Sequence, residues 1–397
     1  MNKIDRSQAF VELDFPKQEY DDRYVRARQM MRERNLDALI ITNVANYIYF
    51  SGHTATHNAP HWMWTSHARP FVMIFPAKGN PMLIAHILEQ LPAGRSSPWC
   101  EVRTYSDLPF KSSLLADVIR EMGLKNARIG AELGLEQRFQ LPFDDLRAVQ
   151  SELPSVEFVD ASGIFLDLRF IKSPLEIERL RKSCSIAEEA FRTVVPDLRI
   201  GMTEREVVKR VSIRMLELGA DRPTHFLLSR VAPYHQLNRP ADRTLEKGDT
   251  WRMDFGAVYQ EYQSDMSWTM VFGEPTPKQV ELFGHVARVI KDLEAMIRPG
   301  IQICEITKRY NELLEKDGLP PKGAGRIGHG IGLNFNERPS IDLIDTTVLK
   351  ESMCLALEPG IFTPEGGFVI EDNFVIRSEG IELLHPDNLK QLYVVPK

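Results

Sequence analysis

The sequence predicts an α/β domain over residues 1–165, followed by an α+β domain with antiparallel sheet over residues 166–397. Three observations predict this. A chain of 397 residues is longer than one hydrophobic core ordinarily serves. Its first third alternates helical stretches with short apolar runs, the pattern of βα layers. Beyond Lys172 that alternation gives way to capped helices separated by paired, hairpin-like apolar runs.

Taken in order, residues 21–34 are charged with apolar positions at Val25, Met30 and Met31, and read as an amphipathic helix. Residues 36–42 read as a buried strand, and 47–50, 71–75 and 82–85 as further strands. Residues 112–122 follow as a helix and 127–131 as a strand. The second domain opens on Ser173-Pro174-Leu175-Glu176, a capping box with proline at the first helical position, before a helix to about Val194. Thr203-Glu204-Arg205-Glu206 starts a second helix, to about Leu218. Thr276-Pro277-Lys278-Gln279 starts a third, ending near Arg298-Pro299-Gly300. Residues 251–272 and 354–383 read as hairpin-rich sheet.

Composition narrows the function. Hydrophobic residues make up 43% and charged residues 26%, which excludes a disordered chain and a coiled coil. Lys and Arg number 49 against 55 Asp and Glu, so no basic surplus exists to neutralise nucleic-acid phosphates. The apolar runs are too short to span a membrane. The start of the chain lacks the apolar core of a secretory signal, and the four cysteines have no Cys-x-x-Cys spacing. The expectation is a protein of the reducing cytoplasm.

Five residues carry the chemistry. Asp254 sits inside the apolar run Trp251-Arg252-Met253-Asp254-Phe255-Gly256, and Asp265 stands eleven residues later in Ser264-Asp265-Met266-Ser267. A tight turn around residues 259–262 would make a hairpin and bring the two carboxylates together. Adjacent buried carboxylates cannot both stay ionised without a cation or strong donors. His329 lies between glycines in Gly328-His329-Gly330-Ile331-Gly332, Glu358 ends an apolar strand before Pro359-Gly360, and Glu371 follows Phe368-Val369-Ile370. Four carboxylates and one imidazole suit two divalent cations of the Mn, Co, Fe or Zn type.

These motifs, in this order, resemble the prolidase, aminopeptidase P, creatinase and methionine aminopeptidase family. Ile171-Lys172-Ser173-Pro174-Leu175-Glu176 resembles the opening of that family's pita-bread catalytic domain. Residues 35–43 and Tyr49-Phe50-Ser51-Gly52 resemble its creatinase-type N-terminal domain. The resemblance implies that Asp254 chelates one ion, that Asp265 and Glu371 bridge both, and that His329 and Glu358 hold the other. Two such ions would activate a bridging water and polarise a scissile carbonyl, with Glu358 passing a proton to the leaving nitrogen. The expected activity is therefore hydrolysis of a C–N bond in an Xaa-Pro dipeptide or a small amide. A lyase acting on dimethylsulfoniopropionate, and a non-catalytic binding module, are the alternatives.

The sequence departs from the peptidase pattern at three places. Asn336 stands where a second His precedes Glu-x-Pro, and Val369 where an Arg stands two residues before the last Glu. Leu237 takes the place of an upstream His, and His235, two residues earlier, is the candidate catalytic histidine in its stead. Residues 53–69 crowd His53, His57, His61, Trp62, Trp64, His67 and Arg69 together. Trp62, Trp64, Arg69 and Asn336 are the expected substrate contacts. By resemblance, Arg69 reaches the active site of a second copy in a homodimer and binds a substrate carboxylate.

Overall fold

A computed structural model describes residues 14–54, 69–106, 110–230, 239–320, 325–386 and 390–395. The chain divides into two compact units, Met1–Leu168 and Arg169–Lys397.

The first unit runs α1 (Lys17–Glu33), β1 (Ala38–Ile41), α2 (Val44–Ser51), β2 (Val72–Pro76), β3 (Met82–His86), α3 (Gln90–Ser96) and β4 (Glu101–Tyr105). It continues through α4 (Ser112–Glu121), β5 (Arg128–Ala131), α5 (Phe143–Glu152) and β6 (Glu157–Asp160), and α6 (Ser162–Phe170) leads out of it. The strands form one mixed sheet in the order β4-β3-β2-β1-β5-β6. β2 is antiparallel to both its neighbours, while β3–β4, β1–β5 and β5–β6 are parallel. Ile40, Ile74, Ile84 and Ile129 meet Leu115 and Ile119 of α4 in the core on one face of this sheet.

One expected strand is a helix. Residues 47–50 lie in α2, where the Asn43 side chain accepts from the Ala45 N–H at 3.1 Å and Gly52 closes the helix at φ 69°. Every residue from Ala45 to Ser51 is buried, Asn46 and Ser51 included, so the segment has no solvent-facing side. A helix buried on every side has no 3.6-residue alternation of apolar and exposed positions to betray it and reads as a buried strand.

The second unit begins with α7 (Pro174–Val194) and α8 (Glu204–Glu217), then β7 (Arg222–Arg230), β8 (Thr250–Tyr259), β9 (Tyr262–Gln263) and β10 (Met266–Phe272). α9 (Pro277–Met296) and α10 (Ile303–Lys316) follow, then β11 (Gly328–Gly330), β12 (Glu337–Ser340), β13 (Cys354–Leu357), β14 (Gly360–Thr363) and β15 (Gly366–Val369). β16 (Asp372–Arg377), β17 (Gly380–Leu383) and β18 (Tyr393–Val395) complete it. One sheet has the order β18-β10-β8-β7, with β9 on β8, and a second has β12-β11-β13-β16-β17.

All three capping boxes form, at Ser173, Thr203 and Thr276, each with reciprocal bonds between cap and third helical residue. α7 lies on the first sheet: Phe191 stacks on Trp268 at 4.5 Å, Trp268 on Phe255 at 4.8 Å, and the Ser183 hydroxyl donates to the Ala257 carbonyl at 2.7 Å. Gln260 and Glu261, both at positive φ, make the tight turn that returns β8 through β9 toward β10. Just before it, the backbones close in so far that a Cβ on Gly256 would sit 1.8 Å from the Ser264 carbonyl oxygen.

Candidate metal centre

Strand register brings the acidic residues together. β8 and β10 pair with Asp254 opposite Ser267, and Ser267 also bridges to Glu371, whose N–H donates to its carbonyl. Asp265 stands immediately before β10; its N–H donates to the Asn373 side chain at 3.0 Å, and the Asn373 amide donates back to the Asp265 carbonyl. In the second sheet His329 lies opposite Ala356, and Leu357 opposite Asp372, so His329 on β11 stands beside Glu358, just after β13, and Glu371, just before β16. Gly330 lets β11 and β12 approach closely, since a Cβ there would meet the Arg338 carbonyl at 2.3 Å.

Around this point the side chains form two donor groups that share Asp265. One is His225, Asp254 and Asp265; the other is Asp265, His329 and Glu371; in each, one ligand atom per residue lies within 4.8 Å of the others. His225 Nε2 is 2.9 Å from Asp254 Oδ1 and 3.2 Å from Asp265 Oδ1. His329 Nε2 is 3.3 Å from Asp265 Oδ2 and 3.9 Å from Glu371 Oε1. Arg252 adds a fixed positive charge: its Nη2 donates to Asp254 Oδ2 at 2.8 Å and to Glu358 Oε2 at 3.0 Å, and its Nε to the Ser267 hydroxyl at 2.7 Å. All but His225 and Glu358 are fully buried.

Four carboxylates against one guanidinium leave the site short of positive charge. Burial pushes Glu371 well above the usual carboxylate range, and the charges of Asp265, Glu358 and Asp254 push it further. Burial also raises Asp254, against the pull of Arg252. Asp265 is buried too, but the facing His225 and His329 imidazoles hold it below the usual range. Burial alone would lower His225; the facing Asp254 and Asp265 instead push it up to about 10. Asp265 Oδ1 and Glu371 Oε2 are buried without a hydrogen-bond partner. Open carboxylate oxygens beside imidazole nitrogens, with no thiolate among them, fit divalent cations.

Of the residues singled out from sequence, the structure brings Asp254, Asp265, His329 and Glu371 together. Glu358 is at the same place but stands on Arg252, outside both donor groups. Asn336 is exposed and accepts from Arg326 at 3.0 Å. Arg69 is half-buried in the first unit, just ahead of β2, with its Nε lacking a hydrogen-bond partner. Trp62, Trp64 and His235 lie outside the described residues.

Two members of the site escaped the sequence reading. Arg252 shares the face of Asp254 by the two-residue period of a strand, which is a usable signal. His225 sits where the β7–β8 register shifts between Pro223 and Phe226; Pro223, which cannot donate to the ladder, hints at an irregularity but not at which side chain it redirects.

Comparison with known proteins agrees with this architecture. Residues 178–378 match the metallopeptidase family M24, and residues 23–171 the creatinase/prolidase N-terminal domain. The Xaa-Pro dipeptidase of Pyrococcus horikoshii is 32% identical over 257 residues, which cover 64% of this chain and 72% of that protein. The solved structure of the Xaa-Pro dipeptidase from Bacillus anthracis superposes with a TM-score of 0.81 at 25% identity, over 94% of this chain and 99% of that one. The prolidase structure from Pyrococcus horikoshii OT3 gives 0.78 at 26% identity, over 93% and 99%. With a creatinase-type domain ahead of a pita-bread domain, and acidic and imidazole donors gathered at the strand ends of the latter, the chain belongs to metallopeptidase family M24.

Proposed function

We propose that this protein hydrolyses the C–N bond of a dipeptide of the Xaa-Pro type or of a closely related small amide, with two divalent ions held by Asp254, Asp265, His329, Glu358 and Glu371. The observation that carries the reading is Asp265, buried and shared by two donor groups, with one carboxylate oxygen toward each imidazole. Divalent ions bound there would supply an activated water and a Lewis acid for the substrate carbonyl. The chain's own residues supply the rest. Glu358, less deeply buried than its neighbours and held through one oxygen by Arg252, is placed to carry a proton to the leaving nitrogen. Arg252 keeps that carboxylate and Asp254 in fixed orientation.

The substrate contacts at Trp62, Trp64, Arg69 and Asn336, a catalytic role for His235, and a homodimer in which Arg69 serves the second copy's site belong to the same proposal and rest on family resemblance. So does a cytoplasmic location, which is supported by four buried cysteines that form no disulfide. No helix among the described residues is long and apolar enough to cross a membrane. Elimination on the same site and a non-catalytic role have no observation in their favour.

The test is product analysis. Metal-free protein is supplied with Mn²⁺, Co²⁺, Fe²⁺ or Zn²⁺ and incubated with Xaa-Pro dipeptides, other dipeptides, cyclic amidines and dimethylsulfoniopropionate. Release of free amino acids or of an amine is the expected result. Elimination products, or no turnover with any metal, would overturn the proposal.

A further inference from the structure

We infer that His225 is itself a ligand, so that each of the two ions receives one imidazole and Asp265 links them. The inference rests on the metal-dependent reading above and extends it to a residue outside the family-implied set of five. The two histidines occupy matching positions about Asp265: His225 Nε2 faces Oδ1 at 3.2 Å and His329 Nε2 faces Oδ2 at 3.3 Å. Both rings are tethered by the other nitrogen. His329 Nδ1 lies 3.0 Å from the Gly330 carbonyl, which only accepts, so Nδ1 carries a proton and Nε2 is the nitrogen left to face a ligand. His225 Nδ1 lies 2.8 Å from the Thr224 hydroxyl, which can accept in the same way.

Further observations point to an ion rather than a hydrogen bond at His225. A single Nε2 proton cannot serve Asp254 Oδ1 and Asp265 Oδ1 together, and Asp265 Oδ1 is left without a hydrogen-bond partner. Arg252 takes the other oxygen of Asp254, turning Oδ1 toward His225. Ligand bonds of ~2.1 Å give donor–donor edges of ~3.0–3.4 Å around one ion, which is the spacing of these donors. The register shift in β7 aims the ring at the site, and Phe335 lies against it with ring centroids 4.5 Å apart.

The experiment loads the full-length protein with Co²⁺ and reads two quantities besides activity: metal content per chain, and the paramagnetically shifted, exchangeable imidazole N–H resonances. Wild type should hold two ions and show two such resonances, one from each tethered Nδ1. His225→Gln should lose one resonance and fall to one ion, its affinity for the second dropping by more than the ~10–100-fold typical of outer-shell changes. Thr224→Val should shift the His225 resonance and keep two ions. Wild type without bound metal would overturn the functional reading itself. A single ion in wild type would overturn both this inference and the two-ion reading it rests on. Two ions with only one shifted N–H, or His225→Gln with two ions and an unchanged spectrum, would overturn this inference alone. If His225→Gln fails to fold, the wild-type spectrum still decides.

Discussion

Arg252→Met should separate the two means by which this protein balances its buried carboxylates. Among the described residues, Arg252 is the permanently charged group in the cluster, within 3.8 Å of oxygens from Asp254, Glu358 and Glu371. Methionine approximates the side chain's volume and removes its charge. Breaking one side of a buried ion pair costs ~3–5 kcal/mol, because the remaining charge is left uncompensated. In a unit the size of Arg169–Lys397, 1 kcal/mol corresponds to ~2–4 °C in Tm. The variant should therefore melt ~6–20 °C lower than wild type when both are stripped of metal. Divalent ions supply the missing positive charge, so saturating Mn²⁺ should shrink that gap to less than half. Calorimetry with and without a chelator reads both values. An equal loss in the two conditions, or none in the metal-free protein, would refute the charge argument and leave Arg252 as packing.

Other predictions follow from single contacts. Asp265→Ala removes the residue common to both donor groups, so metal content should fall below one ion per chain while the circular dichroism of the fold persists; two bound ions would contradict its assignment. Glu337 is buried, which alone would raise it, but Arg169 and Lys172 hold it below the usual range. A depressed carboxylate stabilises the fold above its unfolded value of ~4.3 and loses that contribution as pH falls through its folded value. Glu337→Gln should thus cost ~3–5 kcal/mol near neutral pH and progressively less below about pH 4, as denaturant titrations at several pH values would show; a constant difference would count against it. Ser173→Ala removes the α7 cap, whose hydroxyl accepts from the Glu176 N–H at 3.2 Å, and should lower Tm by ~2–4 °C, in line with ~1 kcal/mol for such a cap.

The sequence by itself determined the two-domain order, the three capped helices, the β8–β10 hairpin and the run of acidic and imidazole residues in the second unit. These are local signals: a cap is written within four residues, a tight turn within two, and a carboxylate in an apolar strand is conspicuous wherever it folds. Tertiary structure decided the rest. Residues 47–50 became helix because burial on every side erased the periodicity that would have identified it. Val369 stands where the family pattern has Arg, yet Thr269, whose hydroxyl bonds both backbone groups of Val369, lies opposite Arg252, so a guanidinium reaches the same neighbourhood from the adjoining strand. His225 is 29 positions from Asp254 in sequence and 2.9 Å from it in space, brought there by a register shift at which Pro223 hints but whose outcome no residue pattern gives. Charge balance in a buried site depends on what converges in three dimensions. A chain reading can name the acids one by one, but only the fold shows which cations and imidazoles stand among them.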